Sequence, residues 1–373
     1  MILCYNARKF YVKGMLTVSN NEAIIRTAEQ PNSRTAEQPN SRTHNFSLKS
    51  WLKKYRITYL PLHFIKKSLT FILLRLYLLY CYIRRLLIGD VIFTRAPVNI
   101  TIFSVIPSNW GDDLNKYFFE YVTGQRVVPI RNDLKDFIYK GRYIMIGSIL
   151  GFYRLTDAIV YGSGLMTAST PLIGKPDKII SVRGPLTRQA LLNNGINCPE
   201  HYGDPALLLS VFYTPSVSKK RYVSIIPNMG TFWNPCPVVD DLVSTHKCRL
   251  IDMTHYEKWT DIIDAIASSS FVLSESLHGL IAAETYNIPC VWVEFINHNT
   301  AHDWSFKFRD FYESIGKHNM TSIKLYEGYD FGELLKLKDD WRPGTIDYEK
   351  LLSLFPFPIK PELRRTIKFP LKH

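Results

Sequence analysis

Arg183 and His278 are the side chains whose types and positions best suit chemistry on an anion. Each stands where an apolar run passes into a helical stretch: Arg183 in 181–188 (SVRGPLTR), His278 in 274–279 (SESLHG). Backbone N–H groups at a helix N-terminus carry partial positive charge and favour anions. A planar guanidinium at such a turn suits a carboxylate or a phosphate, which it can meet with two parallel hydrogen bonds. An imidazole in the first turn of a helix is held neutral by the same dipole, and a bound phosphate would restore its ability to donate a proton. Ser276 precedes His278 by two residues, and Gly279 follows it, keeping the approach open.

A third turn, 109–115 (NWGDDLN), begins with Asn109. Its Gly111 permits a tight turn and a close backbone approach, and Asp112 or Asp113 can cap the helix that follows. Asp204, in 202–205 (YGDP), reads first as a turn former. Lys307, in 303–316 (DWSFKFRDFYESIG), adds positive charge within reach of a cleft, while Arg309 reads better as a solvated cation on a helix face. A packed core histidine and a surface arginine remain open as plainer readings of His278 and Arg183. There is no G-x-x-x-x-G-K-[ST], no G-x-G-x-x-G after a strand and no G-x-S-x-G elbow, which argues against nucleotide cradles and hydrolase triads. No His/Asp cluster has metal-ligand spacing, so no metal is expected.

These turns need a frame. Runs at 98–106, 143–150, 158–161 and 178–182 read as strands, and 113–122 and 185–193 as helices, the second with Pro185 in its first turn and Gly195 beyond its end. A second set has strands at 221–227, 248–252, 271–274 and 289–294 and helices at 256–268 and 277–286. Trp259, Ile262, Ile263 and Ile266 recur there at helical spacing. Strands separated by helices imply parallel sheets with right-handed crossovers. The expected fold is α/β, with two Rossmann-like domains facing a cleft, at 98–210 and 215–330, and a C-terminal tail at 331–373. Ligands of open parallel sheets lie beyond the carboxyl ends of strands, which is where the three turns fall.

The formal net charge of +13 is unevenly placed. Residues 1–95 carry 16 Lys/Arg against 4 Asp/Glu, whereas 96–373 carry 30 against 29. A near-neutral globular part argues against a nucleic-acid partner. Residues 1–50 contain TAEQPNSR twice in tandem, at 27–34 and 35–42, in a polar setting expected to be poorly ordered. Residues 51–95 are basic and apolar, with SLTFILLRLYLLYCYI at 68–83 flanked by Lys66, Lys67, Arg84 and Arg85. That run is short for a membrane span and interrupted by Arg75, so an interfacial helix on an anionic membrane surface is the more economical reading. The six cysteines are scattered without C-x-x-C pairs, as in a reducing compartment. A cytoplasmic protein, peripheral on the inner face of the cell membrane, is expected.

The stretches NWGDDLN (109–115), YGSGL (161–165), SVRGPLTRQAL (181–191), YGDPALLL (202–209), SESLHGLIAAETYNIPCV (274–291) and KFRDFYESIG (307–316), in this order, resemble the polysaccharide pyruvyl transferase family. The resemblance implies a fold like that of GT-B glycosyltransferases. It further implies phosphoenolpyruvate as co-substrate, with no other cofactor, and a ketal-pyruvylated sugar or lipid-linked oligosaccharide as product. The family's donor-binding arginine maps onto Arg183 and its histidine onto His278. Many members carry Arg two residues before that histidine, where this chain has Ser276; Lys307 is the candidate substitute. On this reading Arg183 clamps the donor carboxylate, His278 contacts the phosphate and acts as acid, and Asp112 or Asp113 orients or deprotonates the acceptor hydroxyl. Asn109, Gly111, Asp204, Ser276, Gly279 and Lys307 complete the expected substrate-binding set. The competing readings are a GT-B glycosyltransferase using a nucleotide sugar and a non-catalytic membrane-associated assembly protein.

Overall fold

The computed structural model describes residues 98–101, 109–130, 142–152, 154–217, 222–234, 236–296 and 305–370, all within one compact unit, Leu86–His373. The tandem repeat and the basic, apolar segment 51–95 lie outside the described residues. Among the described residues no helix is long and apolar enough to cross a membrane.

The first set of elements runs β1 (Val98–Thr101), α1 (Trp110–Thr123), β2 (Val127–Ile130), β3 (Arg142–Ile144), β4 (Ala158–Tyr161), β5 (Lys178–Ser181) and α2 (Pro185–Asn193). A 3-10 turn at Pro205–Leu208 and α3 (Leu209–Phe212) lead out of it. The second set runs β6 (Tyr222–Ile226), α4 (Met229–Trp233), α5 (Pro237–Ser244), β7 (Arg249–Leu250), α6 (Trp259–Ala267), β8 (Ser269–Ser274), α7 (Leu277–Thr285), β9 (Cys290–Phe295), α8 (Ser305–Ser314) and β10 (Ile323–Leu325). Three helices follow: α9 (Phe331–Asp340), α10 (Tyr348–Ser353) and α11 (Pro361–Thr366).

Every described strand pairing is parallel, as short, largely apolar strands alternating with helices require. The sheet orders are β2-β1-β3-β4-β5 and β10-β9-β8-β6-β7. Counted from its own first strand, each sheet has the same order. In each the chain steps to one side and then to the other, which leaves a switch point between β1 and β3 and another between β6 and β8. Loops diverge at such points and open a crevice beyond the carboxyl ends of the strands.

Local chemistry sets several boundaries apart from expectation. Helix α1 starts at Trp110 because Asn109, not Asp112 or Asp113, is the cap: its side chain accepts from Gly111 N at 3.2 Å. The two aspartates lie inside the first turn. Gly124, at φ 67°, closes the helix in the left-handed conformation. The strand expected over 143–150 ends at Ile144. Beyond it the Asn115 side chain takes Ile146 in place of a sheet neighbour, accepting from its N–H (2.9 Å) and donating to its carbonyl (2.8 Å).

A single apolar core joins α1 of the first set to α6 and α7 of the second, through Leu114, Phe118, Ile263, Ile266, Leu280 and Ile281. Residues 331–370 do not trail as a tail. After β10 the chain returns to the first sheet, and Phe355 stacks on Phe119 with ring centroids 5.8 Å apart. Phe357 meets Tyr143 edge-on at 4.7 Å, the Tyr161 hydroxyl donates to Leu351 O (3.1 Å), and Lys360 N donates to Val122 O (3.0 Å). The sequence FPFP at 355–358 had no assigned role because alternating Phe and Pro have neither a helical nor a strand period. Phe355→Ala is expected to cost about 2–3 kcal/mol of stability, below the range for a fully buried Phe because this ring is half-buried. Urea unfolding followed by intrinsic fluorescence measures it.

Candidate functional site

The first turn of α1 is anchored to the second set of elements. Trp110 N donates to Met253 O (2.9 Å) and its indole N–H to Trp259 O (2.7 Å). That docking brings Gly111 against His278: a Cβ on Gly111 would lie 1.9 Å from Nδ1 of the imidazole. Only glycine fits there. Gly279, expected to keep the approach open, has another task. Its missing Cβ would lie 2.6 Å from Ser274 Oγ and 2.9 Å from Ile226, so it lets α7 pack onto β6 and β8. Ser276 is the N-cap of α7, accepting from Gly279 N at 3.5 Å.

His278 is 9% exposed, and among the described residues its Nε2 has no hydrogen-bond partner. Burial, with lesser contributions from the Lys307 and Arg183 cations, pushes its pKa down to about 3. The imidazole is neutral at physiological pH.

Arg183 follows β5, as expected, but it does not present an open fork. It is fully buried, and its nitrogens are engaged within the protein. Nε donates to Asp310 Oδ2 (2.9 Å), one terminal nitrogen to Ser148 Oγ (2.5 Å) and the other to Leu165 O (2.7 Å). Gly164 makes room, since a Cβ there would lie 2.4 Å from the guanidinium carbon. The expectation that Arg183 clamps a carboxylate bidentately is therefore corrected. Its Nε is taken by a carboxylate of α8, 127 residues away in sequence, and its terminal nitrogens by Ser148 and Leu165. Asp310 also accepts from Thr187 N (2.8 Å) and Thr187 Oγ1 (2.6 Å), and so caps α2, whose N-cap Gly184 has no side chain to do so.

Lys307 lies on α8, three residues before Asp310, and is half-buried. Burial, then Arg183, lowers its pKa to about 8, against opposing pulls from Asp112 and Glu275. Asp112 is buried, and among the described residues its carboxyl accepts no hydrogen bond. Burial foremost, then Asp113, raises its pKa to about 8, with Lys307 acting the other way. Asp113, the neighbouring candidate, accepts from the Tyr256 hydroxyl. Asp204 is fully buried and caps the 3-10 turn through Ala206 N (2.9 Å); burial lifts it to about 6, partly offset by that bond and by Arg183.

Asn109, Gly111, Asp112, His278 and Lys307 thus converge beyond the carboxyl ends of β1, β3 and β8, with Arg183 buried behind them. Three contributors were not singled out from sequence. Asp310 stood within the motif KFRDFYESIG, and an acid between aromatic residues of an amphipathic helix was its only signal. Ser148 falls in the turn after β3. Glu275, inside SESLHG, accepts from Asn228 N (3.1 Å) and Phe295 N (3.3 Å), tying the ends of β6 and β9 to β8. Among the described residues no group of His, Cys, Asp and Glu is placed to hold a metal ion, and Cys198, Cys236, Cys248 and Cys290 are unpaired thiols.

Asp310→Ala strands a buried guanidinium and uncaps α2. It should cost about 3–5 kcal/mol, and the double replacement Arg183→Met/Asp310→Ala should recover part of that loss. Urea denaturation of the two variants and the wild type checks this. His278 gives a pH signature. Its folded pKa is below its unfolded value of 6.5, so between these values the unfolded chain binds the extra proton and stability falls as pH falls. His278→Gln removes that term. Its stability relative to wild type should rise by about 2 kcal/mol between pH 6.5 and pH 5, read from denaturation at the two pH values.

A succinoglycan biosynthesis protein, ExoV, of Rhizobium meliloti (strain 1021) is 27% identical over 219 residues, which is 56% of this chain. The chain spans 62% of the length of that relative. The family model described as polysaccharide pyruvyl transferase matches residues 18–295, which takes in Asn109, Asp112, Arg183 and His278 and stops short of Lys307 and Asp310. With that match over well beyond half of its length, the chain belongs to the polysaccharide pyruvyl transferase family.

Proposed function

We propose that this protein transfers a pyruvyl group from phosphoenolpyruvate to two hydroxyls of a sugar in a surface polysaccharide or its lipid-linked precursor, on a GT-B-like pair of sheets. The observation that carries this reading is the charge of the site. A neutral imidazole at the start of α7 and a half-buried ammonium on α8 meet beyond the strand ends, with a buried guanidinium behind. A site of this kind takes anionic groups from its ligand at the Lys307 ammonium and at the start of α7. A small ligand bearing a carboxylate and a phosphate supplies them, and the N-terminus of α7 adds its partial positive charge.

Lys307 is the cation that reaches the ligand in this reading, in place of the arginine that Ser276 replaces. Arg183 works from behind: through Asp310 it holds α8, and so Lys307, in position. Burial first, and neighbouring cations second, depress the pKa of both Lys307 and His278, and an adjacent polyanion raises both by favouring their protonated forms. The basic, apolar segment 51–95 is proposed to hold the enzyme against the anionic inner face of the cell membrane, where lipid-linked sugars are presented.

Phosphoenolpyruvate should raise the melting temperature of the full chain, and nucleoside diphosphates should not. Lys307→Ala should weaken phosphoenolpyruvate binding about ten- to a hundredfold, the loss of one charge-assisted contact. Calorimetric titration of wild type and variant with both ligand classes measures this, with release of inorganic phosphate as the turnover readout. Stabilisation by a nucleoside diphosphate alone would assign the site to a nucleotide sugar.

A further inference from the structure

The positions of Asp112 and His278 bear on which group moves which proton, an inference that rests on the pyruvyl-transfer reading. Forming a ketal from phosphoenolpyruvate needs an acid to protonate the methylene carbon and a base to deprotonate the attacking hydroxyl. The sequence suggests His278 as the acid and an aspartate as the base. The site reverses this order.

Asp112 lies in the first turn of α1, buried, with no hydrogen bond to its carboxyl among the described residues. Four charged or titratable groups face it or its turn: Asp113 from the same helix, Tyr256 from the segment before α6, Lys307 from α8 and His278 from α7, the last in contact with Gly111. A carboxylate taken out of water without donors to stabilise it, beside a second carboxylate, keeps its proton. Lys307 opposes this only in part, because it is itself desolvated and shared with Glu275. His278 is in the converse position. It is buried against Gly111, the Lys307 and Arg183 cations add to the effect of burial, and its Nε2 has no partner among the described residues. A buried imidazole, with cations nearby, stays neutral and offers a lone pair. At neutral pH Asp112 therefore holds a proton and His278 has room for one.

We infer that Asp112 delivers the proton to the methylene carbon of phosphoenolpyruvate and that His278 takes the proton from the attacking sugar hydroxyl. The electron pair of the C=C bond takes up the Asp112 proton and makes the methyl group, leaving a cationic carbon stabilised by its bridging oxygen. The first hydroxyl oxygen bonds to that carbon and gives its proton to His278. The bond from that carbon to the phosphate oxygen then breaks, phosphate leaves with the electron pair, and the imidazolium protonates it. The second hydroxyl attacks the same carbon, closing the ketal, and returns a proton to the Asp112 carboxylate. Both residues end as they began, and the products are the ketal and hydrogen phosphate. The phosphate's negative charge, brought beside His278, makes the imidazolium accessible only once donor is bound, which ties proton uptake to a filled site.

The test has two arms on the full chain. Difference infrared spectra between pH 6 and pH 10 should show the carbonyl band of a protonated carboxylic acid in wild type, lost on ionisation and missing from Asp112→Asn. The second arm uses residual turnover of phosphoenolpyruvate on a sugar acceptor in mixed light and heavy water. The ratio of hydrogen to deuterium in the new methyl group reports its proton source. Turnover should fall about 10²–10⁴-fold in both Asp112→Asn and His278→Gln. The isotope ratio should shift in Asp112→Asn alone, an effect that misplacement of the substrate would not produce. An acid band that persists in Asp112→Asn, or an isotope ratio moved by His278→Gln and not by Asp112→Asn, overturns the assignment. Wild type that never consumes phosphoenolpyruvate overturns the pyruvyl-transfer reading and with it the catalytic roles. The infrared arm still decides separately whether Asp112 holds a proton.

Discussion

The buried pair between Arg183 and Asp310 is the contact on which the site's construction depends. It joins the turn after β5 to α8, and the same carboxylate caps α2 through Thr187. Two ions taken out of water are stable together only when their remaining hydrogen-bonding capacity is met. Here Ser148, Leu165 and Thr187 meet it, and three separate segments are thereby held in register. The glycines around the pair follow from it. Gly164 lies under the guanidinium, and a Cβ on Gly184 would lie 1.8 Å from the backbone oxygen of Asp310. The glycines of the short GSG at 162–164 allow close packing, Gly162 against Pro205 and Gly164 against Arg183.

The groups nearest the proposed chemistry are held in the less stable of their usual states. Asp112 is too desolvated to ionise readily, His278 too desolvated to protonate, and Lys307 is drawn toward neutrality. Each costs folding free energy, which the large shared core offsets. That core runs from α1 through α6 and α7 and is closed by the returning C-terminal segment. A negative charge brought into such a site favours the protonated forms of all three groups.

Much of this was legible in the sequence. The α/β class, the parallel strands, the helix at 185–193 and the turns bearing Arg183 and His278 follow from apolar periodicity and from Pro and Gly at helix ends, which are local properties. The order of motifs placed the family. The boundaries that shifted were set by contacts the chain makes far from itself: Asn115 with Ile146, and Phe355 with Phe119.

What the tertiary structure decided is which side chains meet, and from that their protonation. Residue type made Arg183 a cation and His278 a switchable base. Only the fold could show that the cation is spent on Asp310, that Gly111 admits the imidazole, and that Asp113 turns to Tyr256 while Asp112 stays in the site. Burial and neighbouring charge set the energy of an ionised group, and both depend on residues more than a hundred positions away, which spacing along a chain does not record.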